Sequence, residues 1–349
     1  MKKKIAIVGY GGQGAWHAMH AQKSDCLDLA GVFDIKENRM SAAREAGIHT
    51  YASFEELLLD NTLDIVVCAT PNDSHTDIVV KSLEAGKNVV CEKPVVIDVC
   101  DFEKMLSAQE KSGKLLTVHQ NRRWDVDFLA ILELVRSMEI GEVINVESRI
   151  HGSRGIPSDW RCHKEQGGGM LLDWGVHLID QVLQIIPEKV TSVYCHMDHV
   201  TTSEVDDGIK LNIVFESGKS AWVEVGTYNM ISMPRFYLRA KEGSAMVEDW
   251  RQKCKVSKLK AWCEKDVLPV QTAAGITKTM APRDELTLDN YELEIPSSDV
   301  HDFYRNFSDA IDGKSEQLIK NCEVLRVLKV MAAAIESDKT KTAISNINI

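Results

Sequence analysis

The run Ile5-Ala6-Ile7-Val8-Gly9-Tyr10-Gly11-Gly12-Gln13-Gly14 constrains this chain more than any other segment. A short apolar strand leads directly into G-x-G-x-x-G, and the residues from Gln13 to Lys23 then read as a helix. Gly9 permits the tight turn, Gly11 lets the backbone approach a pyrophosphate, and Gly14 lets helix and strand pack closely. Tyr10, Gly12 and Gln13 complete the loop. The helix N-terminus offers free N–H groups and a partial positive charge to phosphates. About twenty residues after Gly14, Asp34 closes a second strand, Leu27 to Phe33. A carboxylate there accepts hydrogen bonds from the adenosine ribose and repels a 2′-phosphate, favouring NAD over NADP. Lys36 and Arg39 stand close enough to blur that preference, and Ile35 and Arg39 join the expected cofactor contacts.

Strands and helices keep alternating to about residue 121. Asp64 to Cys68, Asn88 to Cys91 and Leu115 to Val118 are apolar runs without polar alternation, as strands covered on both faces should be. Helical patterns separate them, so the spacing predicts a doubly wound parallel sheet over residues 1–121, an α/β nucleotide-binding Rossmann domain. From 122 to 349 the pattern changes to an α+β domain for substrate and oligomerisation. Alternating runs from Val143 to Glu248 predict a large, mostly antiparallel open sheet. Two helices, about 298–312 and 319–336, close the chain, and the last is placed to pack back on the first domain. Residues 264–295 have weak periodicity and read as a long excursion near a site or an interface.

Bulk properties exclude several partners. Lys and Arg number 41 against 52 Asp and Glu, a formal net charge of −11, which repels nucleic-acid backbones. No stretch approaches ~20 apolar residues, so no membrane span is expected. Met1 to Lys4 mimics a signal n-region, but the apolar run behind it is too short. Nine cysteines without a C-x-x-C pair suit a reducing cytoplasm.

Three segments place polar groups where a core needs none. Glu92-Lys93-Pro94 follows an apolar strand, at the carboxyl edge where such sheets bind ligands. Lys93 is a candidate donor to a substrate hydroxyl. In Gly167-Gly168-Gly169-Met170-Leu171-Leu172-Asp173-Trp174-Gly175-Val176-His177-Leu178-Ile179-Asp180, residues 173, 177 and 180 share one face of a helix. His177 suits a proton acceptor, with Asp173 to orient it. The same three side chains could instead ligate a metal, but no further ligand is evident, and none is expected. The third segment, His119-Gln120-Asn121-Arg122-Arg123-Trp124-Asp125, could line a cleft or form an interdomain ion-pair cluster.

The ordered set IAIVGYGGQG, ATPNDSH (69–75), CEKP (91–94), HQNRRWD (119–125), DWR (159–161) and GGGMLLDWGVHLID resembles the Gfo/Idh/MocA oxidoreductases over nearly the whole chain. The resemblance implies catalytic roles for Lys93, Asp173 and His177. It also implies cofactor contacts from Ala69, Thr70, Pro71, Asn72, His75, Glu92, Lys93, Asn121, Trp160 and Arg161, and substrate contacts from Lys93, Arg123, Trp160, Asp173 and His177. The implied reaction is NAD-dependent oxidation of a secondary hydroxyl on a sugar, glycoside or inositol. The alternative is a redox-neutral lyase or hydrolase that retains NAD and works through a 3-keto intermediate. A homodimer or homotetramer built through the second sheet is also implied.

Overall fold

The computed structural model describes residues 2–260, 267–347 and 349. Five strands, β1 (Lys3–Val8), β2 (Leu27–Phe33), β3 (Ile65–Cys68), β4 (Asn88–Cys91) and β5 (Leu116–Val118), form a sheet in the order β2-β1-β3-β4-β5. All its pairs are parallel. Helices α1 (Gly12–Lys23), α2 (Glu37–Glu45), α3 (Phe54–Leu59), α4 (His75–Glu84) and α5 (Val99–Ser112) make the connections. The strands β3, β4 and β5 are buried at every residue, which explains their unbroken apolar character.

Beyond α6 (Val126–Arg136) and β6 (Val143–His151), a turn and α7 (Val176–Ile185) lead to β7 (Val190–Asp198), β8 (Gly208–Phe215) and β9 (Ser220–Gly226). Then come β10 (Phe236–Ala240), β11 (Gly243–Val247), β12 (Lys255–Leu259), β13 (Val270–Thr272), β14 (Gly275–Thr277) and β15 (Leu288–Glu292). The chain ends with α8 (His301–Ile311), α9 (Asn321–Thr340) and β16 (Ile344–Ser345). Nine of these strands form one sheet, β15-β12-β11-β10-β6-β9-β8-β7-β16. Buried and half-buried residues alternate along β8 and β9, so one face carries the core and the other stays open.

The sheet departs from simple alternation at its centre, where β6 and β9 run parallel. A parallel pair needs a crossover, and α7 with the β7-β8-β9 meander supplies it. The excursion also contains more order than its weak periodicity suggests. β13 and β14 pair as an exposed hairpin, and β15 adds an edge strand beside β12. Residues 264–266 of that stretch lie outside the described residues.

Two cores meet on the C-terminal helices. Phe303, Tyr304 and Phe307 of α8 pack into the core of the parallel sheet. α9 serves both, with Val324 and Leu328 in that core and Val327, Val330 and Met331 under the second sheet. No helix among the described residues is long and apolar enough to cross a membrane.

Candidate functional site

A cleft of about 850 Å³ opens at the carboxyl edge of the parallel sheet, within the size range of small-molecule sites. One end is built from backbone. Gly9 has φ +93°, and a side chain there would meet the Ala69 carbonyl oxygen at 2.6 Å. A Cβ on Gly14 would come within 1.8 Å of the Gly9 carbonyl oxygen, so this crossing of helix and turn admits no side chain. Gly11 and Gly12 face open space, and Gly11 precedes α1 without offering any side-chain cap. The uncapped N–H groups at an open glycine turn suit a pyrophosphate. Asp34 stands at the end of β2, where its Oδ2 accepts from the Tyr10 N–H (2.7 Å) and its Oδ1 from the Lys36 N–H (2.8 Å). Ile35, Lys36 and Arg39 line the same end, and Arg39 has no ion-pair partner among the described residues.

The other end is built from charged side chains. Lys93 Nζ donates to the Asp173 carbonyl oxygen (2.9 Å) and to its carboxylate (3.0 Å). The second carboxylate oxygen accepts from Arg161 Nε at 2.9 Å. Arg161 is held in turn by Asp159 and lies over the Trp160 ring at 4.6 Å. Burial pushes the Asp173 carboxyl up, but Lys93 and Arg161 outweigh it and hold the group below its usual range.

Asp173 sits on a π-helical turn, Leu171–Gly175, rather than on a regular helix. The wider turn breaks the predicted 173–177–180 face. The three side chains therefore do not converge. Asp173 binds Lys93 and Arg161, Asp180 binds Arg123, and His177 Nδ1 is buried with no hydrogen-bond partner among the described residues. The expectation that Asp173 orients His177 is thus corrected, because two cations claim its oxygens. The metal reading of this trio falls for the same reason. Burial lowers the His177 imidazole well below its ordinary value, and the Lys93 and Arg122 charges lower it further.

Other expected residues divide between lining and support. Ala69, Thr70, Pro71, Asn72, Glu92, Trp160 and Arg161 line the cleft. His75 does not; it is buried, with its ring nitrogens against the carbonyl oxygens of Val95 (3.1 Å) and Thr70 (2.9 Å), and it braces the loop that does. Tyr10, Asn121 and His177 are also absent from the lining. Arg123 is corrected from a substrate contact to a clamp. Its guanidinium binds Asp180 (2.6 and 2.8 Å) and Glu323 (2.7 Å), tying α7 to α9. Of the two uses open to the HQNRRWD segment, Arg123 takes the ion-pair one.

Two supports are not evident from the sequence. Glu92 Oε1 accepts from His17 Nε2 and His119 Nδ1, both at 2.7 Å, and Tyr304 donates its hydroxyl to His17 Nδ1. Burial pushes the Glu92 carboxyl up, but the two imidazoles hold it well below its usual value. Glu92 Oε2 accepts from the Lys93 N–H at 3.2 Å, so the cluster fixes the backbone beside the lysine. The second support is Asp206, whose carboxylate accepts from the Leu171 N–H (2.7 Å) and anchors the start of the π turn. The pairing of His17 with Glu92 spans 75 residues, and that of Asp206 with Leu171 spans 35, so no local pattern announces either.

The GFO_IDH_MocA model, described as an oxidoreductase family with an NAD-binding Rossmann fold, matches residues 3–120. The GFO/IDH/MocA C-terminal domain model matches residues 128–246. An NAD-binding protein of Listeria innocua with a solved structure is 42% identical, covers 99% of both chains and superposes with a TM-score of 0.95. A scyllo-inositol 2-dehydrogenase (NADP(+)) of Bacillus subtilis is 26% identical over 356 residues, 98% of this chain and 95% of that protein. An uncharacterized oxidoreductase of Schizosaccharomyces pombe is 36% identical over 177 residues, and this match spans 49% of the chain and about half (48%) of that protein.

Proposed function

The chain belongs to the Gfo/Idh/MocA oxidoreductase family, and from that premise we propose an NAD-dependent dehydrogenase that oxidises a secondary hydroxyl of a sugar, glycoside or inositol to a ketone. One observation carries the reading: the Lys93–Asp173 pair and the glycine turn belong to a single cleft. The loop from Gly9 to Gly14, Asp34 and the 69–72 segment would hold the dinucleotide, whose nicotinamide supplies the hydride acceptor. Lys93 donates a charged hydrogen bond to the substrate oxygen and stabilises negative charge there as the proton leaves. Asp173 keeps that ammonium aimed, since both its carbonyl and its carboxylate hold Nζ. We assign the proton to His177, which lies just behind the cleft lining; burial and the nearby cations keep its ring neutral, the form a base requires.

Asp34 supports NAD as the preferred cofactor, while Arg39 beside it, unpaired among the described residues, leaves a cation within reach of a 2′-phosphate. A panel of inositols, hexoses and glycosides with NAD and NADP, followed at the reduced-nicotinamide absorbance band, tests both points. Reduction with at least one polyol, faster with NAD, is expected. Substrate conversion without net reduction would replace the dehydrogenase by the redox-neutral reading. Faster reduction with NADP would assign Arg39 the deciding role.

A further inference from the structure

The cleft does not stop at Asp173. A second arm of about 510 Å³ continues on the other side of Asp173 and Arg161, which line both arms. Its walls come from the end of β6 and the loop after it (150–155 and Pro157), the end of β9 (Val225, Gly226, Thr227), Met170 and Trp174 of the turn region, and Trp250. None of these residues belongs to the nucleotide-binding wall.

Two indoles give this arm its character. Trp174 follows Asp173 directly in the chain, and its ring centroid is 5.9 Å from that of Trp250, with the planes inclined by 35°. The Arg122 guanidinium covers Trp174 at 4.7 Å. Trp250 remains 39% exposed, an indole the core has not taken up. Ser153 and Arg154 bring polar groups to the same space, and Arg154 has no ion-pair partner among the described residues. An aromatic platform with a polar rim fits a ring that shows C–H bonds on one face and hydroxyls around its edge.

We propose that this arm is a second subsite, and that the substrate is a glycoside whose second sugar unit packs against Trp250 while the first presents its hydroxyl to Lys93. This rests on the reading that the reacting hydroxyl meets Lys93. If so, a ring anchored there fills the junction, and only an attached unit occupies the arm beyond. A lone hexose or inositol leaves the Trp250 platform empty.

The test compares kcat/KM for a disaccharide with that for the corresponding methyl glycoside, using wild type, Trp250→Ala and Trp250→Phe. Wild type should prefer the disaccharide by about tenfold, the upper end of what an aromatic platform contributes. The ratio should fall towards one in W250A and largely survive in W250F, which separates loss of the ring from loss of the fold. A wild-type ratio near one, or an unchanged ratio in W250A, overturns the subsite. If no compound reduces either nucleotide, the dehydrogenase reading fails on its own. Calorimetric titration of the NAD-loaded protein with the same two sugars then decides the subsite. Tighter disaccharide binding that W250A abolishes supports it; equal binding, or none, overturns it.

Discussion

The two ends of the cleft solve recognition differently. The nucleotide end is made of backbone: a positive-φ glycine, a helix start without a side-chain cap, and a Gly14 that tolerates no Cβ. The chemical end is made of side chains drawn from distant parts of the chain, with Lys93 and Asp173 80 residues apart. Backbone can recognise a phosphate group common to many reactions, but it cannot choose among alcohols. In the proposed reaction, selectivity and proton handling fall to Lys93, Asp173, Arg161 and His177, of which the first three are held by one another.

Substitutions should therefore separate the two ends cleanly. The largest effect is expected for Lys93→Met, which should lower kcat by about 10³-fold while nucleotide affinity, measured by fluorescence titration, stays near wild type. Parallel loss of nucleotide binding would break the division. The reverse experiment is Gly14→Ala. A Cβ 1.8 Å from the Gly9 oxygen should cost about 2 kcal/mol or more of stability in denaturant melts and weaken the nucleotide more than the sugar. An unchanged melt would show that the turn can shift.

Asp206→Asn probes the anchor of the chemical end. Burial pushes the Asp206 carboxyl up to about 6, only partly offset by the N–H of Leu171. A raised acid contributes stability fully below its unfolded value near 4 and loses it as the pH climbs through the folded value. The variant should shed about 1 kcal/mol of the fall in stability between pH 4.5 and 7. An identical fall in both proteins would show that Asp206 is not its source. The smallest effect is on the pH profile. His177 is lowered well below 6.5, so as a base it is already neutral through the ordinary range, and kcat/KM should stay level from pH 8 down past 6.5. An acid limb centred near 6.5 would point to an unperturbed group.

The same division explains what could be read from residues alone. β2 and β4 were legible to the residue, β4 because a strand covered on both faces has few alternatives and β2 because Asp34 closes its apolar run. Lys93 and Asp173 were each legible through their own motifs, but not as partners of one another. The partner of Asp173 was not, because regular helical spacing joins it to His177 and the π turn changes that phase. Arg123 was ambiguous because an arginine beside a cleft and one inside an ion-pair cluster look the same in sequence; the difference lies in Asp180 and Glu323. The parallel β6–β9 pair was hidden because alternation reports which face is buried, not which way the neighbouring strand runs.

Tyr304 has a consequence for how the molecule is made. It lies on α8, yet its hydroxyl completes the His17–Glu92–His119 cluster beneath the glycine turn, and Phe303 and Phe307 fill the same core. During synthesis β1 to β5 leave the ribosome long before these aromatics do. Until then the nascent nucleotide-binding region exposes an apolar socket and leaves its buried histidine without a donor. Only the later synthesis of α8 closes the ground on which Lys93 stands.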